Sequence, residues 1–180
     1  MKRCIVVVDA QNDFLTGTLA NKYAVAALPT LSKVIEWGTE NDCDFIFTRD
    51  THYDNYLLTQ EGRNLPLPHC LMGSWGWNIT NELKVPINTK TIYKEQFGYE
   101  YWKYEELYRY DEIIICGFVS SICVVSNALG IKAAYKELPV TFISDASAGL
   151  SEEDHAAAIK VMECCQVKCK KWEDYICDKS

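Results

Sequence analysis

Ile5-Val6-Val7-Val8-Asp9 is the stretch on which the fold turns. Four consecutive β-branched residues do not alternate as a half-exposed strand does, and they are too few for a helix. They read as a strand buried on both faces, the habit of parallel sheets covered by helices. Working outward, the same kind of run recurs at Phe45-Ile46-Phe47-Thr48 and at Ile113-Ile114-Ile115-Cys116-Gly117. Thr91-Ile92-Tyr93, Val140-Thr141-Phe142-Ile143 and Val167–Lys170 complete the candidate strands. Helical patterns fall between them. Leu28, Leu31, Val34, Ile35 and Gly38 fit a helix over Val25–Gly38, with Pro29 demanding a start near it or a kink. Glu100–Tyr108 reads as a short helix, and Ser120–Tyr135 as a longer one with Val124, Ala128, Ile131 and Tyr135 on one stripe. Ser151-Glu152-Glu153-Asp154 resembles a capping box opening a last helix. Strands alternating with helices define a single α/β domain over 1–180, with an open parallel sheet between two helical layers. Such sheets bind ligands at the carboxyl ends of their strands.

The composition excludes several functions. The 180 residues fit one domain, and 18 Lys and Arg against 25 Asp and Glu give a net charge of −7. That argues against nucleic-acid or anionic-membrane partners, which want a basic face. No apolar stretch approaches a membrane span, and the N-terminal run is too short for a signal segment, so a cytoplasmic protein is expected. The nine cysteines are odd in number, contain no C-x-x-C, and belong to a compartment where disulfides are rare. Cys164, Cys165, Cys169 and Cys177 lack the spacing of a zinc module. They and Cys4, Cys43 and Cys116 are expected to pack as small hydrophobes or stay idle.

Chemistry-bearing residues gather at the candidate strand ends. Asp9 follows Ile5–Val8, Arg49-Asp50 follows Phe45–Thr48, Lys94 follows Thr91–Tyr93, and Gly117 to Cys123 follows Ile113–Cys116. A thiol at a helix start is expected to have its pKa lowered, and the helix N–H groups can hold an oxyanion. An ammonium such as Lys94 stabilises a thiolate, and a carboxylate such as Asp9 can take and return a proton. Asp50, His52 and His69 are ligand types for zinc, iron or manganese, with Cys70 as an alternative ligand. His155 reads as a solvated residue at an acidic helix start.

Five ordered segments then carry a resemblance. Val7-Val8-Asp9-Ala10-Gln11-Asn12-Asp13-Phe14, Thr48-Arg49-Asp50-Thr51-His52, Pro68-His69-Cys70 with Gly73, Tyr93-Lys94-Glu95-Gln96-Phe97, and Gly117 to Cys123 continuing into Val124 and Ala128-Leu129 resemble the isochorismatase-like cysteine hydrolases. The likeness is greatest to the nicotinamidase group. It implies a six-stranded parallel sheet of order 3-2-1-4-5-6 in a three-layer αβα sandwich. It implies a catalytic triad of Asp9, Lys94 and Cys123, and an oxyanion hole from the N–H groups of Val119 and Cys123 beside a cis peptide after Phe118. It implies a divalent metal, zinc first with iron or manganese as alternatives, on Asp50, His52 and His69. Phe14, Trp75 and Phe118 become candidates for substrate contact. The implied reaction is hydrolysis of a small amide such as nicotinamide through a thioester, by a homo-oligomer, dimer or tetramer. Pro66 departs from the pattern, standing where nicotinamidases usually carry an aromatic residue three positions before the metal histidine. Trp75 or Trp77 could supply that ring, or else form the buried face of a short helix. Phe118 and Val119 are also bulkier than the residues many members carry there. Cleavage of N-carbamoyl or ureido compounds, and non-catalytic binding of a small molecule, are the alternative readings.

Overall fold

The computed structural model describes residues 1–178. The chain runs through β1 (Arg3–Val8), α1 (Asn12–Leu15), α2 (Lys22–Glu40), β2 (Asp44–Asp50), α3 (Gln60–Asn64) and β3 (Lys90–Lys94). It continues through β4 (Glu112–Phe118), α4 (Val125–Ala134), β5 (Val140–Ala148), α5 (Glu152–Cys164), β6 (Lys168–Lys170) and α6 (Trp172–Cys177). The six strands are all parallel, in the order β3-β2-β1-β4-β5-β6. Every side chain from Cys4 to Val8 is fully buried, as a strand covered on both faces requires. Ile5, Val7, Phe45, Phe47 and Ile114 face α2 and α6, where Leu31, Ile35, Trp172 and Tyr175 meet them. Cys4, Val6, Ile46, Ile113 and Ile115 face the other way, against Val124, Ala128, Ile131 and Met162 of the α4 and α5 layer. Among the described residues no helix is long and apolar enough to cross a membrane.

Local chemistry sets the ends. Asn21 caps α2 by accepting from Tyr23 and Ala24 N–H, so that helix starts at Lys22, well before Pro29, and runs through it. The buried Leu28, Leu31, Val34 and Ile35 stripe holds the helix across the bond that proline cannot donate. Ser151 caps α5 as its sequence suggests, accepting from Asp154 N–H at 3.0 Å. The helix expected over 100–108 is instead two single 3₁₀ turns, Trp102–Tyr104 and Leu107–Arg109, because Glu106 between them is left-handed at φ 53°. Gly117 is the glycine the site needs. Its φ is 110°, and a Cβ there would stand 2.1 Å from the Val8 carbonyl oxygen, so only glycine lets β4 end so close to β1.

The segment after β1 is tied to β2 by a side chain acting as backbone. The Gln11 amide donates to the Asp50 carbonyl at 2.9 Å and accepts from Asp50 N–H at 2.7 Å. It also donates to the Trp77 carbonyl at 2.9 Å, from a fully buried position. Removing it leaves buried backbone groups without partners. Gln11→Ala is expected to lower stability in urea denaturation by about 1–3 kcal/mol. A loss indistinguishable from zero would show that the bridge does not hold the loop.

Candidate active site

The carboxyl ends of β1, β2, β3 and β4 converge on one ammonium. Lys94, the last residue of β3 and the register partner of Asp50, is buried. Its Nζ lies 2.6 Å from Asp9 Oδ2, 3.4 Å from Asp50 Oδ1 and 3.7 Å from Cys123 Sγ. The sequence reading places these residues on one rim, and the fold brings them together. Asp9 is left-handed at φ 46° and fully buried. Thr48 Oγ1 donates to Asp9 Oδ1 at 2.6 Å, while Oδ2 pairs with the Lys94 ammonium.

Burial sets the protonation states. It pushes the Cys123 thiol well above its usual range; Lys94 works against this, and Asp9 and Asp50 add to it. The lowered pKa expected from the helix start is therefore reversed, because a local dipole argument ignores the cost of a charge sealed from water. Burial also raises Asp9, against the pull of Lys94. It opposes the Lys94 ammonium too, yet Asp9, Cys123 and Asp50 around it carry its pKa above the usual range.

Cys123 sits in a π-helical turn, Ser120–Val124, rather than in the first turn of the α-helix expected from 120 onward. Ile122 and Val124 N–H both bond the Val119 carbonyl at 3.1 Å, and the Phe118–Val119 peptide is cis. A short π segment widens a helix where a functional side chain is presented. His155, read as solvated, is half-buried instead, its Nδ1 2.8 Å from the fully buried Ser120 hydroxyl in that turn.

Asp50, His52 and His69 form the one metal-capable group found among the described residues, all three buried. Asp50 Oδ2 lies 3.0 Å from His52 Nε2 and 3.4 Å from His69 Nε2. His69 Nδ1 bonds the Leu67 carbonyl at 2.9 Å, which makes Nδ1 the donor and leaves Nε2 free to ligate. Burial raises the Asp50 carboxyl, but Lys94 and the neighbouring His52 and His69 outweigh it and hold the group well below the carboxylate range. Two imidazoles and an ionised carboxylate suit a divalent cation such as zinc. Sequence reasoning missed Glu61. Its Oε1 lies 3.7 Å and 3.6 Å from Nε2 of His52 and His69, delivered by α3, which Thr59 caps inside the supposed loop. Cys70, the alternative ligand, stands outside the group with its N–H bonded to Asp13 Oδ2 at 2.7 Å.

Beside these groups opens a cavity of about 560 Å³, walled by Tyr56, Leu65, Phe97 and Ile122 with Glu61 and Glu95 as its only carboxylates. Phe14 is buried with its ring edge toward His69, 5.9 Å between centroids. Phe118 is wholly in the core and Trp75 is exposed on a turn outside the cavity, so neither side chain touches this space. Trp77 is half-buried, carrying the Arg49 guanidinium 3.5 Å above its ring. Phe97 and Tyr56 are aromatic residues lining this cavity. The nine cysteines are free, and Cys164 and Cys165 at the end of α5 and Cys177 at the end of α6 are exposed rather than packed.

Fold and site together define a doubly wound α/β hydrolase with a cysteine at the head of a helix. The chain belongs to the isochorismatase family: the isochorismatase domain matches residues 3–174. It is similar to the nicotinamidase/pyrazinamidase of Mycobacterium tuberculosis, 24% identical over 185 residues, covering 92% of this chain and 97% of that one. It is similar to the nicotinamidase of Saccharomyces cerevisiae at 24% identity, covering 84% and 90%. The pyrazinamidase of Pyrococcus horikoshii in complex with zinc superposes with a TM-score of 0.82 at 25% identity, covering 96% and 100%. The protein is a nicotinamidase-like hydrolase of that family.

Zinc titration checks the ligand group. Asp50→Asn and His69→Ala are each expected to weaken zinc binding at least about tenfold, and Glu61→Gln by less. Unchanged affinity in His69→Ala would remove the histidine from the site.

Proposed function

We propose that this protein is a metal-containing cysteine amidase that hydrolyses nicotinamide or a related small aromatic amide to the acid and ammonia. The observation that carries the reading is the Lys94 ammonium within reach of Asp9, Asp50 and Cys123. The buried Asp9 carboxylate, paired with Lys94, takes the Cys123 proton. The thiolate so formed faces Lys94, which replaces the stabilisation that water cannot give there. The sulfur attacks the amide carbon, and the N–H groups of Val119 and Cys123 hold the developing oxyanion. Asp9 returns its proton to the nitrogen as the C–N bond breaks, and ammonia leaves. Water, deprotonated by Asp9, then attacks the thioester, and the acid departs as Cys123 recovers its proton.

Asp50, His52, His69 and Glu61 would hold a divalent metal, which when bound orients a ring nitrogen of the substrate or a water beside it. The pyrazinamidase similar to this chain binds zinc, which supports that choice of metal. Phe97 and Tyr56 suit the flat face of an aromatic ring. N-carbamoyl amino acids carry a carboxylate, and the cavity wall offers no Lys or Arg to pair it, only Glu61 and Glu95.

Purified protein is expected to release ammonia from nicotinamide. Cys123→Ala should abolish the release, while Cys165→Ala, on the exposed end of α5, should leave it unchanged. Wild-type protein that releases no ammonia from a panel of small aromatic amides would overturn the reading.

A further inference from the structure

Asn127 is fully buried on α4, one helical turn beyond Cys123, and its side-chain amide makes all four hydrogen bonds it is able to make. Nδ2 donates to the Cys123 carbonyl at 2.8 Å and to the Phe97 carbonyl at 3.1 Å. Oδ1 accepts from Tyr99 N–H at 2.9 Å and from the Trp102 indole N–H at 3.0 Å. Three of these partners lie on the stretch from Phe97 to Trp102, which up to residue 101 forms no helix or strand of its own. That stretch continues directly from Lys94 through Glu95 and Gln96, which with Phe97 line the cavity. Gly130, three residues along the same helix, lets the Trp102 ring come close: a Cβ there would lie 3.1 Å from its Cδ1.

The wall of the cavity therefore has no ladder to hold it, and one amide does the work of several backbone bonds. Besides the bond of this amide to its carbonyl, the nucleophile is held by its π-helical turn and by Lys94. Loss of the amide would take three bonds from the wall and one from the Cys123 backbone, while the π-helical turn and Lys94 still hold the thiol. We propose that Asn127 is a positioning residue that sets the distance between the Glu95–Phe97 wall and Cys123, and so governs how ring-bearing amides are seated against the thiol. The proposal rests on the amidase reading of this site and adds a specificity element to it.

The test compares a small probe with a ring-bearing ligand on the same thiol. Iodoacetamide should alkylate Cys123 without filling the cavity, and nicotinamide should protect that thiol by occupying it, alkylation being read at Cys123 itself. In Asn127→Ser, alkylation is expected to stay within about threefold of wild type. Protection by nicotinamide should weaken, and kcat/KM for its hydrolysis fall, at least about tenfold per titratable thiol. A purely structural role would instead lower Tm and the fraction of reactive thiol, with kcat/KM per thiol unchanged, and that result overturns the proposal. So does a change of alkylation and protection by the same factor. Should Asn127→Ser fail to fold, Trp102→Phe removes a single bond to the same amide and is expected to weaken protection about threefold in the same direction; unaltered protection in that variant overturns the proposal. Ammonia release without this differential effect sinks the positioning role alone. Failure of nicotinamide and other ring amides to protect wild-type Cys123 sinks the cavity assignment and the positioning role together.

Discussion

A buried ammonium is costly unless countercharges surround it, and the Lys94 side chain is sealed from solvent. Its neighbours are the ends of the adjacent strands: Asp9 just past β1, Asp50 closing β2, and Cys123 in the turn beyond β4. The sheet order supplies them, because β3, β2, β1 and β4 lie side by side and parallel. The same charge lowers the pKa of Asp50, pairs with Asp9, and opposes the burial that raises the Cys123 thiol. Removing it would strand two buried carboxylates within reach of each other, a cost of several kcal/mol before any chemistry is considered.

Asp50 connects the two halves of the site. Oδ1 faces Lys94 and the nucleophile, while Oδ2 faces His52 and His69. Gln11 grips the backbone of the same residue from both sides, so the carboxylate is positioned from β1 as well as from its own strand. The metal group and the thiol group are therefore not independent modules, and a disturbance of one is felt through a single carboxylate by the other.

The strands were legible because uninterrupted β-branched runs have few other uses, and the rim residues because parallel strands must bring their ends together. The triad and the Asp-His-His group owe their recognition to family resemblance as much as to chemistry, since an acid or a histidine after a strand is common. Residues that act across the fold were not legible. Gln11 bonds partners 39 and 66 positions away, and Asn127 reaches back 30 positions to Phe97. No periodicity marks a side-chain amide that substitutes for backbone. Glu61 was hidden in a polar stretch whose one short helix depends on the Thr59 cap, and the His155–Ser120 pair joins two elements 35 residues apart. The raised thiol pKa is likewise a property of burial, whereas the sequence displays only the helix start.

In the proposed reaction Cys123 carries the acyl group between two steps, and hydroxylamine competes with water for that group. With nicotinamide as substrate, a covalent thioester should be intercepted, so that nicotinohydroxamate forms at the expense of the acid as hydroxylamine rises while ammonia release does not slow. Acid and ammonia forming with no hydroxamate at any hydroxylamine concentration would contradict the account, because water would then be attacking the amide without a covalent intermediate.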